Sequence, residues 1–217
     1  MKNILLSMGF ICLSTITTYA QKIGESIQDV ELIKNHSFEY EGEPIRNRRF
    51  GPNGEGELFG GYQPIGIIPG WINANNKEAE AQMEITTEGL LDETQHRALR
   101  WVITQATSMT QAGIANVGIH GIGVTGGNKY TLTFWMRSDK RYEGKLHVGL
   151  QRKSFDGTWY AQAIIKGHKI KKKWKKYSIT FVTEHSDENA CFVITADTPG
   201  TLYIDEVSLY SPIAIKR

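Results

Sequence analysis

The sequence predicts an all-β fold, an antiparallel β-sandwich, and three observations carry that prediction. The second half of the chain repeats short runs in which apolar and polar residues alternate, the period of two expected of half-buried strands. Clusters of Gly, Asn, Asp, Ser and Pro separate those runs at short intervals, as turns do. No long segment sustains a helical period, and many short strands with polar turns favour a sandwich.

The first residues do not belong to that fold. "MKNILLSMGFICLSTITTYAQKIGES" has an early lysine, an apolar run from Ile4 to about Thr17, and "TYA" before Gln21. That order reads as a secretory signal over residues 1–20, cleaved after Ala20, and the run is too short and too broken by Ser and Thr to span a membrane. The expected layout is then a short linker over 21–29, a sandwich over 30–212 and a tail over 213–217. The mature chain is expected to be secreted or periplasmic, or associated with the cell surface. It keeps one cysteine, Cys191, so it forms no internal disulfide and must draw its stability from its core or from a metal.

"SIQDVELIKNHSF", from Ser26 to Phe38, reads as an extended opening segment. The Gly- and Pro-rich stretch from Glu39 to Trp71 keeps no apolar period and is expected to be a long loop or a set of short turns. "TTEGLLDETQHRAL" is the one segment that could pass for a helix, and Gly89 weakens it. Trp101, in "LRWVI" with Leu99 and Ile103, reads as core.

In "YTLTFWMRS", Tyr130, Leu132, Phe134 and Met136 share one face, leaving Trp135 and Arg137 on the other. In "KLHVGLQ", Leu146, Val148 and Leu150 face the core, and His147 and Gln151 face away. The same alternation recurs in "KYSITF", "ACFVIT" and "LYIDEVSLY". Turns are expected at Thr125 to Lys129, Phe155 to Trp159, His185 to Asn189 and Asp197 to Thr201.

The charges nearly balance, with Lys+Arg 25 against Asp+Glu 23. So small a net charge gives no general attraction to nucleic acid or to acidic membranes. The lysines at 169, 171, 172, 173, 175 and 176 crowd around Trp174. With so little net charge they read as the solvated lead-in to an edge strand, where lysine discourages sheet-to-sheet pairing. Trp174, Tyr177, Ile179 and Phe181 read as that strand's packing signal.

Several motifs taken in order resemble a known family. These are "NHSFE", "QAGIANVGIHGIGVTGGNKYTLTFWMRS", the Trp before "KYSITF", and "GTLYIDEVSLYSP". Together they resemble the jelly-roll carbohydrate-binding modules of the CenC-like class, and most of all the β-sandwich near the N-terminus of family 51 glycoside hydrolases, the α-L-arabinofuranosidases. The resemblance covers roughly Val30 to Pro212. It implies a jelly roll of the galactose-binding-like kind and a polysaccharide or oligosaccharide ligand, arabinan or arabinoxylan for preference. Those hydrolases also carry a (β/α)-barrel, which needs about 200 or more residues of its own. The chain is therefore expected to be a free-standing non-catalytic module, or else the front part of such an enzyme with the hydrolase domain as partner. A surface adhesion or assembly sandwich that binds protein is the third reading, and it would show an exposed apolar patch.

Catalysis by the sandwich itself is not expected. Glycoside hydrolysis needs two carboxyl groups held roughly 5 to 10 Å apart across the scissile bond. Glu39, Glu41, Glu43, Glu55, Glu57, Asp156, Asp205 and Glu206 fall mostly in loops and turns, where solvated carboxylates are ordinary. Gly-x-Ser-x-Gly, His-Glu-x-x-His, zinc-type Cys pairs and phosphate loops are missing from the sequence.

Sugars offer an apolar ring face and a polar rim, so aromatic planes and planar polar side chains bind them together. The parity above gathers Trp135, Arg137, His147, Gln151, one of Trp159 or Tyr160, and Gln162 into one expected cluster on neighbouring strands, on the concave face that jelly rolls use. Trp71, after Pro69 and Gly70, is expected to close one end of the cleft. The bland alternatives are a Trp135 packed under a loop, and Arg137 and His147 paired with surface carboxylates. The family resemblance also implies one structural calcium between the opening and closing strands, held by Glu39 and Asp205, with Glu31 a weaker contributor. The alternative for Asp205 is a cap or ion pair on an edge strand.

Overall fold

The computed structural model describes residues 27–39, 55–58, 61–64, 68–118, 122–153 and 157–214, with the backbone alone at 27–30, 55–58, 61–64 and 211–214. The expected signal over 1–20 and most of the Gly- and Pro-rich stretch lie outside the described residues. None of the described helices is long and apolar enough to cross a membrane.

Alternating runs become strands where the alternation predicts them. The strands are β1 (Ile27–Glu31), β2 (Glu55–Leu58), β3 (Gly61–Pro64), β4 (Trp71–Asn73), β5 (Glu80–Thr86), β6 (Ala98–Gln105) and β7 (Ala112–Asn116). They continue with β8 (Ile122–Val124), β9 (Lys129–Ser138), β10 (Lys145–Arg152), β11 (Trp159–Lys166), β12 (Lys175–Val182), β13 (Asp187–Ala196) and β14 (Gly200–Ala214). No α-helix occurs among the described residues. The helix candidate at 86–99 is a turn-rich loop leading into β6, with Gly89 at φ +61°.

The first sheet has the order β12-β9-β14-β6-β5, with β1 also paired to β14. The second has the order β11-β10-β13-β7-β4, with β8 paired to β13. All pairs are antiparallel, and β2 and β3 form a separate hairpin. β12 is an edge strand, as its lysines suggest. β14 lies inside its sheet and exchanges partners along its length: β6 holds Gly200 to Ile204, and β1 holds Tyr210 to Ala214. Pairing of Ile27 with Ala214 carries the sheet a few residues beyond the span of 30–212.

Between the sheets lies one core. Leu99, Trp101, Tyr130, Leu132, Phe134, Met136, Leu202 and Ile204 come from the first sheet, and Ile114, Leu146, Val148, Leu150, Phe192 and Ile194 from the second. Across β9 and β12, Phe134 stacks on Tyr177 at 5.2 Å and Tyr130 on Phe181 at 6.3 Å, both as directly opposed pairs. Such cross-strand aromatic pairs fix register as well as adding stability.

The "NHSF" segment is a plug in this core. Asn35 and Phe38 both have positive φ, at 51° and 61°, which turns the chain back after β1. Phe38 is fully buried and sits 5.0 Å from Trp71, which meets Phe192 edge-on at 6.1 Å. Trp71 Nε1 donates to the Asn35 carbonyl at 3.1 Å, and the Asn116 amide clamps Lys34 through both its backbone groups. Trp71 is thus 1% exposed and belongs to the core. The expectation that it closes a binding cleft is overturned, because the plug needs its ring inside.

Removal of so large a buried ring costs about 3–5 kcal/mol. Trp71→Ala is expected to lower the unfolding free energy measured in urea by that amount, whereas Trp135→Ala, half-buried on the outside of the first sheet, costs markedly less. Equal losses would place Trp135 in the core.

Candidate functional site

The expected Trp, Arg, His and Gln cluster does not form. Trp135 and Arg137 lie on β9, whose neighbours are β12 and β14, while His147 and Gln151 lie on β10, whose neighbours are β11 and β13. Both sets face away from the core, so they point out of opposite sides of the sandwich. Parity was read correctly within each strand, but β9 and β10 belong to different sheets.

Gly149 and Gly113 lie on the outer face of the second sheet, and a Cβ on either would collide with the backbone of Ala161 or of Ala74. The neighbouring backbone therefore packs closely against both positions, and only glycine fits there. Gly113 and Gly149 are themselves buried, as are Val193, Ala115 and Ile72 in the row through Gly149, so the exposed part of this face is its β10–β11 side.

Rows of side chains cross this face in register. One runs Ile164, His147, Thr195, Gly113, and the next Gln162, Gly149, Val193, Ala115, Ile72. Gln162 Nε2 lies 3.0 Å from His147 Nδ1, within hydrogen-bond distance, and Thr195 Oγ1 donates to Gln111 Oε1 at 2.6 Å. Ile164 is 54% exposed, an unusual apolar surface beside these polar groups. At the far end Ile72, Ala74, Ala115, Val117, Cys191 and Val193 form a second buried cluster, with Trp159 packed against it. This face is therefore open and polar at His147 and Gln162, and closed at Cys191. Burial raises the Cys191 thiol pKa, which leaves it protonated and unreactive.

A bulge separates Trp159 from Tyr160. Leu150 pairs with Ala161 but Gln151 pairs with Trp159, so Tyr160 is the extra residue. Trp159 joins the outer face, whereas Tyr160 packs against the main core and donates its hydroxyl to Asp187 at 2.7 Å. Gln151 does not reach the open part: it is 1% exposed, with its amide oxygen buried and unpartnered. The outer-face residues Ile164, Thr195 and Gln111 were missed. Gln162 and Ile164 follow from alternation along "WYAQAIIK", but Thr195 and Gln111 come from strands that only the topology brings beside β10.

Asp205 sits at the turning point of β14. It is fully buried, its Oδ1 accepts the Glu206 amide at 2.8 Å, and its Oδ2 has no partner. Glu206 has φ +48°, where the register with β9 shifts. Burial pushes the Asp205 carboxyl up to about 7, and the negative charges of Glu206, Glu39 and Asp92 act in the same direction. Glu39 Oε1 accepts the amides of His96 and Arg97 at 2.7 and 2.9 Å. Glu31 is committed elsewhere, taking the amides of Ile33 and Leu209. An orphaned buried carboxylate oxygen among acidic neighbours suits a hard cation with oxygen ligands. Among the described residues no three His, Cys, Asp or Glu side chains converge, so backbone carbonyls would have to complete any shell.

With this geometry in hand, similarity to known proteins can be read. Residues 30–200 match the family described as "Carbohydrate binding domain". The chain belongs to that family. No curated protein matches it in sequence. An arabinose-bound MgGH51 α-L-arabinofuranosidase superposes with a TM-score of 0.62 at 20% identity, covering 84% of this chain and 26% of that one. The module thus spans about a quarter of that enzyme's length. A Stig cyclase, Fisc from Fischerella sp. TAU, gives a TM-score of 0.52 at 18% identity over 87% of this chain and all of its own. A structure described as "CBM4 structure and function" gives 0.50 at 18% identity over 83% and 99%. At these identities the likeness establishes the sandwich fold, and the family match establishes a carbohydrate-binding domain.

The raised Asp205 pKa makes a stability prediction. The folded state holds this proton more tightly than the unfolded chain, whose carboxyl has the ordinary value of 3.8. The contribution is therefore fully present below about 4 and is lost as pH rises towards 7. In chelator, wild-type stability should fall over that interval more steeply than that of Asp205→Asn, measured by urea unfolding at each pH. Parallel profiles would show that Asp205 is ionised throughout.

Proposed function

We propose that this chain is a secreted, non-catalytic carbohydrate-binding module that takes a plant-type polysaccharide, arabinan- or arabinoxylan-like, on the outer face of the second sheet. The observation that carries this reading is the outward-facing group on β10 and β11, with Gln162 and His147 held against each other beside the exposed Ile164. A sugar ring laid there meets an apolar surface through its C–H face and planar donors and acceptors through its hydroxyls. The likeness to an arabinose-bound arabinofuranosidase supports a pentose-rich ligand.

Affinity gels containing arabinan, arabinoxylan, xylan or β-glucan test the reading. At least one of the first two should retard the purified chain. Loss of a neutral hydrogen bond is worth about 0.5–1.5 kcal/mol, so His147→Ala and Gln162→Ala should each weaken binding roughly 3- to 10-fold. Retardation by none of these glycans, or full retention in the double variant, would refute it.

A second reading is favoured by the match that covers only 26% of the arabinofuranosidase chain: the module is the front section of such an enzyme and has a hydrolase domain as partner. Reading the gene beyond Arg217 for a continuing frame decides between them.

We also propose that Asp205 and Glu39 hold one structural calcium ion, which would neutralise the orphaned oxygen and tie the opening segment to β14. Calcium binds the ionised carboxylate, so millimolar calcium should raise the melting temperature at pH 7.5 and have little effect at pH 5. Asp205→Asn should remove the calcium increment. A wild-type melting temperature indifferent to calcium and to chelator would exclude the ion.

A further inference from the structure

The outer face of the first sheet, opposite that of the second, carries an arrangement that neutral sugar binding does not use. Residues in register across it run Arg137, Tyr203, Arg100, Glu84, and Trp174 stands just before β12 beside Arg137. The Arg137 guanidinium lies 3.6 Å from the Tyr203 ring centre and 5.4 Å from that of Trp174. One carbonyl, that of Gly89, accepts both Arg137 Nε at 3.2 Å and Trp174 Nε1 at 2.9 Å. Trp174 is therefore not part of the core with Tyr177, Ile179 and Phe181. It is half-buried on the outside, pinned by the loop that follows β5.

This Arg is fixed and electrically unanswered. Arg100 pairs with Glu84, but among the described residues no carboxylate lies within ion-pair distance of Arg137. The Tyr203 ring and the Gly89 carbonyl hold the guanidinium in one orientation, with one terminal nitrogen packed against Gly89, and a charge so preorganised suits a carboxylate. Beside it runs a tract of a single charge sign. Residues 166–176 hold seven lysines and no acid, and none of these lysines makes an ion pair among the described residues. In a chain of net charge +2, this is a strong local concentration.

A cavity of about 240 Å³ adjoins the row, lined by Ser138, Asp139, Lys140, Arg141 and Thr201 among others, with Arg141 paired to Glu143. The Ser138 amide donates to the Lys171 carbonyl at 2.9 Å, and the Asp139 amide to that of Thr201 at 3.3 Å. The lysine tract, the cavity and the stacked arginine are thus parts of one continuous surface.

We propose that this surface is a second glycan site, selective for acidic polysaccharide that bears uronate carboxylates. Arg137 takes a carboxylate, Trp174 and Tyr203 hold it flat, and the lysines and the cavity draw in the rest of an anionic chain. The two sites occupy opposite faces and act independently.

Affinity gels with polygalacturonate, neutral arabinan and duplex DNA test this with the full chain. Polygalacturonate should retard it at 50 mM NaCl and lose that effect at 500 mM. A hydrogen-bonded charge pair is worth about 1.5–3 kcal/mol, so Arg137→Gln should weaken polygalacturonate binding about 10- to 100-fold and leave arabinan retardation unchanged. Lys172→Gln/Lys173→Gln, at two exposed positions, should do the same to a smaller degree, which guards against a folding defect in the Arg137 variant. The His147→Ala/Gln162→Ala double variant should keep polygalacturonate binding. Absence of retardation at low salt, or loss of arabinan and polygalacturonate binding together in the lysine variant, overturns the proposal. DNA binding of equal strength and equal dependence on Arg137 also overturns it, because the surface would then read charge alone.

Discussion

The lacing of the chain's crossings between sheets is the interaction on which the rest of the structure depends. β9 leads into β10, β11 into β12, and β13 into β14, each passing from one sheet to the other, and all three crossings meet at one end. There the Gly167 amide bonds to the Gly144 carbonyl at 2.7 Å, the Lys145 amide to Asp197 Oδ1 at 2.6 Å, and the Tyr142 hydroxyl to the Thr198 carbonyl at 3.0 Å. Burial raises the Tyr142 pKa, so its hydroxyl remains a donor. Gly144 and Gly167 admit the close approach, since a Cβ at either would meet backbone or side-chain atoms of another crossing. At the opposite end the β8–β9 and β12–β13 crossings are tied by Gly127 and Thr183. With no disulfide to pin the layers, these short bonds hold the two sheets in one alignment.

That same lacing explains what the sequence made legible and what it concealed. Alternation is a local property, and it named β9, β10, β12, β13 and β14, the core of β9, β10 and β12, and the outward direction of Trp135, Arg137, His147 and Gln162. Sheet membership is not local. Six residues separate Ser138 from Lys145, and nothing in "DKRYEG" says that the chain changes sheets there rather than turning back in a hairpin. One cluster became two faces for that reason. The bulge at Leu150 and Gln151 is a second non-local event, since it separates Trp159 from Tyr160 without any glycine or proline to announce it. Trp71 misled because Pro69 and Gly70 before it look like a loop, whereas they deliver the ring under Phe38.

Asp205 shows the opposite case, a motif whose residue identity was legible and whose meaning depends on topology. In an edge strand an aspartate in "YIDEVSL" would be solvated. β14 is interior, and Asp205 falls where it exchanges β6 for β1, so the missing ladder is replaced by bonds from the opening segment: Leu32 to the Leu209 carbonyl, and Val207 to that of His36. Closing this gap buries a carboxylate beside Glu39 and Glu206, which is costly unless a proton or a cation joins it. The opening segment and the closing strand therefore share one electrostatic problem, and its solution stabilises both.

The fold leaves function to its surfaces. The same sandwich superposes on part of an arabinofuranosidase and on the whole of a cyclase, so the layers themselves select no chemistry. Selection comes from what the two outer faces present. The second sheet offers amide, imidazole and aliphatic groups on its β10–β11 side. The first offers a guanidinium between rings and a lysine-rich margin. The two proposed ligands make different demands: hydroxyl-rich chains gain from close fit and little from charge, while carboxylated chains gain from charge and lose it to salt. Because the core and the laced crossings hold the faces apart, each can change without disturbing the other.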